Sequence, residues 1–409
     1  MYSSGAFLLY VSPPTIAGAN VSFLSFALFV IASVGVVCVA IQAALLWRFL
    51  RAQMVRPSRP VPAISILKPL SGCDDGLTEN LTSFAALDYP EYEVLLGVHR
   101  EDDPAVPVAR QMIERWPSRF RLVLQQGSPG LNPKVNQLIT LAKAAQHEVL
   151  LVSDSSVRVG NGYLPEIAAR LEDPEVGLVT HIFAAEGERT LGSLFDNVYL
   201  MSHFAAGAIA ARDAGGQSLV NGKSNAFRRA DLEAMGGFDA VRDYAAEDFI
   251  LGLWVSSKLR KRVCFARYTP ATISVRRSIA EYLKRYQRWS LLQRTGGGYL
   301  VYLLQVMMYP LLLGTLALIL SPSWVGLGWW LGIAFGKSAL DVTQAKMLRP
   351  TPLSPLAFVL GPVNDMLIAW IFLYGLLFDT VVWRGTVMKV TWGTKLVPRA
   401  DSTGHWKQT

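Results

Sequence analysis

The chain has 409 residues, 51% of them hydrophobic, and a formal net charge of +8. Its mean hydropathy of +0.30 excludes a purely soluble pair of domains and puts part of the chain in a membrane. Many basic residues flank apolar runs, which directs the charge to lipid headgroups or an anionic substrate and not to nucleic acid.

Residues 1–20 are expected to form a non-cytoplasmic N-terminal segment. No residue from Val21 to Trp47 is charged, and about 27 helical residues at 1.5 Å each exceed the roughly 30 Å of a bilayer's hydrocarbon core. Residues 21–50 therefore read as a spanning helix. The run is too long for a signal peptide and lacks a basic leader. Arg48, Arg51, Arg56 and Arg59 follow it and set that end inside the cell.

From 60 to 295 short β-rich runs alternate with helical patterns, the signature of an α/β domain with a mostly parallel sheet. Strands are predicted at 63–67, 92–98, 120–124, 148–152 and 176–181. Between them Leu77, Leu81 and Phe84, then Val108, Met112 and Trp116, then Val135, Leu138, Ile139 and Ala142 recur at helical spacing. Further on, Leu191, Leu194, Phe195, Val198 and Tyr199 suggest an amphipathic helix lying on the bilayer.

After Gly298 the chain is apolar again at 299–320, 324–347 and 355–383, giving about three membrane segments within 299–383. The last contains Gly361, Pro362, Asn364 and Asp365 and suits a span or a re-entrant hairpin equally. Lys337 and Asp341 sit four apart on one face, marking a substrate path or neutralising each other. A basic tail, 384–409, follows. Strict alternation puts it outside, whereas Arg384, Lys389, Lys395 and Arg399 favour the inside. Cys38, Cys73 and Cys264 are far apart and in no C-x-x-C spacing, which argues against disulfides and a zinc site.

In an open α/β sheet, ligands collect beyond the carboxyl ends of the strands. The second predicted strand runs into Glu101, Asp102 and Asp103, the fourth runs into Asp154, and Glu247-Asp248 opens an apolar helix. Sugar transfer from a nucleotide diphosphate needs a base-holding site, a divalent cation on the leaving diphosphate, and a carboxylate to take the acceptor's proton. Three separated acids fit those jobs. Asn132-Pro133-Lys134 starts a helix and brings a cation to its N-terminus, a diphosphate contact. Arg285, Arg288 and Trp289 lie just before the apolar C-terminal part, as an interfacial anchor or as groups on the diphosphate and the acceptor.

The stretches I-S-I-L-K-P-L-S-G and L-D-Y-P-E-Y-E-V-L-L-G-V-H-R-E-D-D-P within 64–104, with N-P-K-V-N, S-D-S-S-V-R-V, A-E-D-F-I-L-G and R-Y-Q-R-W further on, resemble the ceramide glucosyltransferases. The resemblance spans roughly 60–294. It implies a GT-A, Rossmann-like catalytic domain, UDP-glucose as donor, Mg²⁺ or Mn²⁺ as cation, and a membrane lipid as acceptor at the cytoplasmic face. It also implies inversion at the sugar. Residue by residue, it implies Asp102 or Asp103 on the uridine side, Asp154 on metal and diphosphate, and Asp248 as base. Arg285, Arg288 and Trp289 match its last motif, and His181 matches a functional histidine. Ser156 stands where the broader D-x-D pattern has its second acid. Hopanoid and diacylglycerol acceptors, a processive polysaccharide synthase, and a transporter or scaffold that only binds nucleotide are the alternatives.

Overall fold

The computed structural model describes residues 16–216, 219–383 and 386–398. The segment 1–15, Arg384, Arg399 and the end of the expected tail lie outside the described residues.

The predicted strands form as β1 (Ile64–Pro69), β2 (Tyr92–Val98), β3 (Phe120–Leu124) and β4 (Val149–Ser153). A two-residue strand follows, β5 (Val157–Arg158), then β6 (Val176–Thr180), the last of the expected set, and β7 (Ala184–Glu186). Three more complete the domain: β8 (Ser224–Arg228), β9 (Arg262–Phe265) and β10 (Ala271–Ile273). The main sheet has seven strands in the order β3-β2-β1-β4-β8-β6-β9. It is mixed and not wholly parallel, because β8 runs antiparallel to both β4 and β6.

That reversal matters for the site. The chain leaves β4 and enters β8 at one edge of the sheet, so Asp154 and Lys223 meet, and the Asp154 N–H donates to the Lys223 carbonyl at 3.1 Å. Helices Leu77–Ala85, Val106–Arg115 and Pro133–Ala144 cover the faces. β1 and β4 are buried along almost their whole length, as strands covered on both sides must be. A second sheet, β5-β10-β7, walls the site from below.

The first helix runs Ile16–Arg51, and Ser22–Arg51 is long and apolar enough to cross a membrane. Phe23 and Phe26 are 73% and 56% exposed along it, which suits a lipid-facing stripe. The 299–320 segment is two helices, Tyr299–Met308 and Pro310–Leu320, bent by 74°, with Pro310 at the break. Trp324–Leu348 is a continuous helix. The last expected segment is shorter than predicted: Gly361–Leu377 is a 17-residue helix. Lys337 Nζ lies 2.6 Å from Asp341 and 3.4 Å from Asp365, so the two acids neutralise the lysine and tie two helices together.

Two parts differ from expectation. Leu191–Tyr199 is a helix, but Leu194, Phe195, Val198 and Tyr199 are all buried. It packs against the helix Ile279–Gly297, so its apolar face meets protein and not the bilayer. The end of the last expected membrane segment and the start of the expected basic tail form three strands, β11 (Thr380–Trp383) in the former and β12 (Thr386–Val390) and β13 (Leu396–Pro398) in the latter, in one antiparallel sheet. This sheet is hydrogen-bonded to the catalytic domain: Ala245 N–H donates to the Thr394 carbonyl at 2.8 Å and Leu396 N–H to the Asp243 carbonyl at 2.7 Å.

Candidate active site

Beyond the carboxyl ends of β1 and β4 lies a cavity of about 890 Å³, large enough for a nucleotide sugar with part of an acceptor. One end is charged and is lined by Lys134, Asp154, Glu247, Asp248, Arg285 and Arg288. The other is mostly apolar and opens beside the first helix, where Leu200, Phe204, Ala208 and Met308 line it.

Lys134 is the hub of the charged end. Asn132 caps its helix, the side-chain carbonyl accepting from the Lys134 and Val135 N–H groups, which fixes where the lysine enters. Its Nζ lies 3.1 Å from Asp154 Oδ1 and 3.0 Å from Glu247 Oε1, and donates to the Gly222 carbonyl at 2.9 Å. A Cβ on Gly222 would come within 2.9 Å of Asp248 Oδ2 and 3.0 Å of Lys134 Nζ. Only glycine lets the backbone approach this closely.

Burial works against the charge of Lys134, but Asp154, Glu247 and Asp248 outweigh it and hold the ammonium firmly protonated. Burial would likewise raise Asp154, yet Lys134 and then Lys223 hold its carboxyl below the usual range. Asp248 is the opposite case. Withdrawal from bulk water, and after it the neighbouring Glu247, push its carboxyl up to about 7, with Lys134 opposing. One site thus holds an acid fixed as carboxylate and another poised to exchange a proton near neutral pH, a division of labour typical of acid–base sites.

The R-Y-Q-R-W segment lies on the helix Ile279–Gly297, begun by a Ser278–Glu281 capping box. Arg285 Nη1 is 3.6 Å from buried Asp196, which also accepts from Tyr286 OH at 2.7 Å and Arg277 Nε at 3.2 Å. Its guanidinium carbon sits 5.1 Å from the centre of the Trp289 ring. Trp289 is tilted on Phe204 at 5.4 Å, where the charged and apolar ends of the cavity meet. Burial, and then Arg285, lower Arg288 to about 10, so it stays cationic.

Lys134, Asp154, Asp248, Arg285, Arg288 and Trp289 are therefore together on one cavity. The other expected residues are elsewhere. Asp102 is exposed and paired with Arg100 at 2.8 Å. Asp103 accepts from the Gly72 and Ala105 N–H groups at 2.9 Å each, so it braces the loop that carries Cys73 and Asp74 into the cavity wall. Neither acid lines that cavity; both line a smaller surface pocket. His181 is fully buried, with Nδ1 2.9 Å from Ser224 Oγ and its ring on Tyr163 at 5.1 Å. Burial lowers it to about 3, so it is neutral, and it too lies outside the cavity.

Several residues on or beside the cavity had not been singled out. Asp74 accepts from Ser155 Oγ, and Lys223 Nζ donates to Ser156 and Thr272 hydroxyls at 2.9 Å each. Lys68, behind Asp154, donates to the Asp154 carbonyl at 2.9 Å. Asp74 was within reach of the rule applied to the other strands, since β1 runs into Leu70-Ser71-Gly72-Cys73-Asp74. Lys223 had no such signal, because it precedes a strand whose reversal is a tertiary fact.

Among the described residues no three His, Cys, Asp or Glu side chains close into a metal cage. Asp154 nonetheless fits a divalent cation of the Mg²⁺ type. Such an ion needs only one or two carboxylates when phosphate oxygens and water complete its shell.

A model of glycosyl transferase family 21 matches residues 27–396. The chain is similar to ceramide glucosyltransferase 1 of Caenorhabditis elegans, 24% identical over 358 residues that cover 84% of this chain and 74% of the relative. A ceramide glucosyltransferase of Komagataella phaffii is 29% identical over 204 residues, 44% of this chain and 40% of the relative. Among solved structures, a mannosyltransferase of Pyrobaculum calidifontis in complex with GDP-mannose and Mn²⁺ superposes with a TM-score of 0.52 at 15% identity. It covers 87% of this chain and 99% of that chain. That likeness is one of fold: the mixed sheet is GT-A-like.

Proposed function

We propose that this chain, a glycosyltransferase that belongs to glycosyl transferase family 21, moves glucose from UDP-glucose to the hydroxyl of a membrane lipid, with inversion at the sugar. Ceramide is the leading acceptor, and transfer is at the cytoplasmic face. One observation carries this reading: a single cavity joins a polyvalent charged end, with Asp248 near neutral in its titration, to an apolar end beside a membrane-length helix.

In this mechanism Asp248 accepts the proton of the acceptor hydroxyl as its oxygen attacks the anomeric carbon. The bond from that carbon to the diphosphate breaks on the opposite face, its electron pair leaving with UDP, and a single displacement inverts the centre. Arg285 and Arg288 face the charge that develops on the diphosphate, where fixed donors in a water-poor site are worth most. A bound Mg²⁺ or Mn²⁺ would neutralise the leaving group, and Asp154 would hold it. Lys134 offsets Asp154 and Glu247 so that an anionic donor can approach. Trp289 forms the wall against which the acceptor rests.

The test is incubation of the purified protein with radiolabelled UDP-glucose and a panel of ceramide, diacylglycerol and hopanoid. One-sugar ceramide is expected; a long polymer or no lipid product would overturn the reading. Asp154→Asn should weaken Mg²⁺-dependent UDP binding and slow transfer together, since ground-state and leaving-group stabilisation are lost at once. Calorimetric titration with and without Mg²⁺ measures the first.

A further inference from the structure

Lys223 lines the cavity beside Asp154 but has no part in the steps above. The reversal of β8 places it there. The residue leads directly into that strand, its carbonyl accepts from the Asp154 N–H at 3.1 Å, and its own N–H donates to Asn221 Oδ1 at 3.3 Å. The carbonyl just before it, of Gly222, accepts from Lys134 Nζ at 2.9 Å. Backbone bonds thus pin Lys223 between the carboxylate proposed to hold the cation and the lysine proposed to face the diphosphate.

The side chain is held as firmly. Lys223 is 8% exposed, and its Nζ donates to Ser156 Oγ and Thr272 Oγ1 at 2.9 Å each. Ser156 lies two residues after Asp154, where a second carboxylate would have flanked a bound cation, and both hydroxyl residues are on the cavity wall. Lys223 enters no ion pair among the described residues, because the nearby acids are engaged elsewhere. Asp154 is taken by Lys134 at 3.1 Å, Asp196 by Arg277 at 3.2 Å and Arg285 at 3.6 Å, and Asp74 accepts from Ser155 Oγ. An ammonium has three donors, so one is left after the two hydroxyls. Burying such a charge against neutral partners alone is costly, and an anion arriving in the cavity would remove that cost.

Resting on the nucleotide-sugar reading, we infer that Lys223 is a fixed cation for the donor's diphosphate. Its remaining N–H meets a phosphate oxygen, and its charge shares with the divalent ion the neutralisation of the leaving group. The site then has one carboxylate, Asp154, for one ion, and beside it a built-in positive charge where a second acid would have added a negative one. UDP binding therefore persists, weakened, when divalent cations are removed.

The experiment is calorimetric titration of the purified full chain with uridine and with UDP, in Mg²⁺ and in EDTA. Wild type should bind UDP in both, more tightly with Mg²⁺. Lys223→Met, which keeps the stem and removes the charge, should lose roughly ten- to a hundredfold in UDP affinity in EDTA, the worth of one charge-assisted hydrogen bond, less in Mg²⁺, and nothing with uridine. Ser156→Asp, which pairs the ammonium with a carboxylate, should also remove binding in EDTA while keeping it in Mg²⁺, and provides the result if the methionine variant does not fold. Wild-type binding in Mg²⁺ with none in EDTA, a loss by Lys223→Met that is equal for uridine and UDP, or a variant that binds UDP in EDTA as wild type does, overturns the fixed cation while leaving donor binding intact. A wild-type protein that binds UDP in neither condition overturns the nucleotide-sugar reading and the fixed cation with it.

Discussion

Asp248 combines two properties that a soluble-domain carboxylate rarely has together. It is withdrawn from water beside Glu247, and its carboxyl is pushed from 3.8 to about 7. Asp154 adds to the rise, whereas Lys134 and the Phe249 N–H, which donates to Asp248 Oδ1 at 2.8 Å, oppose it. The folded protein then holds a proton on this group between about pH 4 and 7 that the unfolded chain has lost, so stability falls as pH rises through that window. Asp248→Asn removes the penalty and should raise the melting temperature at pH 8. As the base form is the deprotonated one, kcat/KM of the wild type should climb with pH to a plateau above about 7, and be roughly tenfold lower at pH 6. In Asp248→Asn, UDP-sugar binding should persist while transfer falls by about 10² to 10⁴. Loss of UDP binding in that variant would make Asp248 a donor-binding group and not the base.

At the scale of elements, the C-terminal sheet has a specific task. Thr394 and Leu396 hydrogen-bond the loop at Ala245 and Asp243 respectively, two and four residues before Glu247 in the chain. The same loop holds Asn132, whose side-chain amide donates to the Tyr244 carbonyl at 2.8 Å and to Glu247 at 3.2 Å, and Asn132 caps the helix of Lys134. One clamp therefore positions both Asp248, the proposed base, and Lys134, the proposed diphosphate contact. Leu396→Pro deletes the N–H that bonds Asp243. Transfer by the membrane-inserted variant should fall by up to about 10²-fold, the cost of a small misplacement of reacting groups; full activity would reduce the sheet to a decoration. None of this was legible in the sequence, because the interrupted apolar run 355–383 masks Thr380–Trp383 as membrane segment and Lys389 and Lys395 read as tail charge. The first four strands and their helices were legible, since a period of 2 changing to 3.6 is a local signal. β8 and the burial of Leu191–Tyr199 were not, since both depend on what packs opposite. Asp154, which follows β4, was legible by the strand-end rule, whereas Asp74, which follows β1 at the end of a longer loop, was passed over, and Asp196, in the middle of a helix, gave no such cue.

Across the whole molecule, contacts at the ends of the apolar segments support one order of crossings, which labelling tests. Arg294 donates to the Tyr299 hydroxyl and to the Phe378 carbonyl, and Arg349 bonds Glu188 at 2.9 Å. The chain therefore leaves the catalytic domain near Tyr299, returns to it at Arg349, and is still beside it at Phe378. The far ends of that excursion meet the early part of the first helix, Ser25 Oγ donating to the Ala317 carbonyl at 2.7 Å and Trp329 Nε1 to Ser33 Oγ at 2.9 Å. Gly361–Leu377 starts against Ser338 and Asp365 reaches Lys337, midway along Trp324–Leu348, then ends at the catalytic domain, a course that suits a re-entrant helix with one face on protein and Val363, Trp370 and Leu377 exposed on the other. Three crossings are expected, with residues 386–398 on the catalytic side. This also satisfies the preference of Lys389 and Lys395 for the inner face. In a background with Cys38 and Cys264 changed to serine, native Cys73, which is exposed, serves as the marker of the catalytic side. Ser321→Cys and Pro398→Cys, each combined with Cys73→Ser, are then exposed to a membrane-impermeant maleimide on sealed inside-out vesicles. Labelling of Cys73 and of the variant at 398 with protection of the variant at 321 is the expected result; a protected position 398 would require a fourth crossing and detach the clamp from the active site.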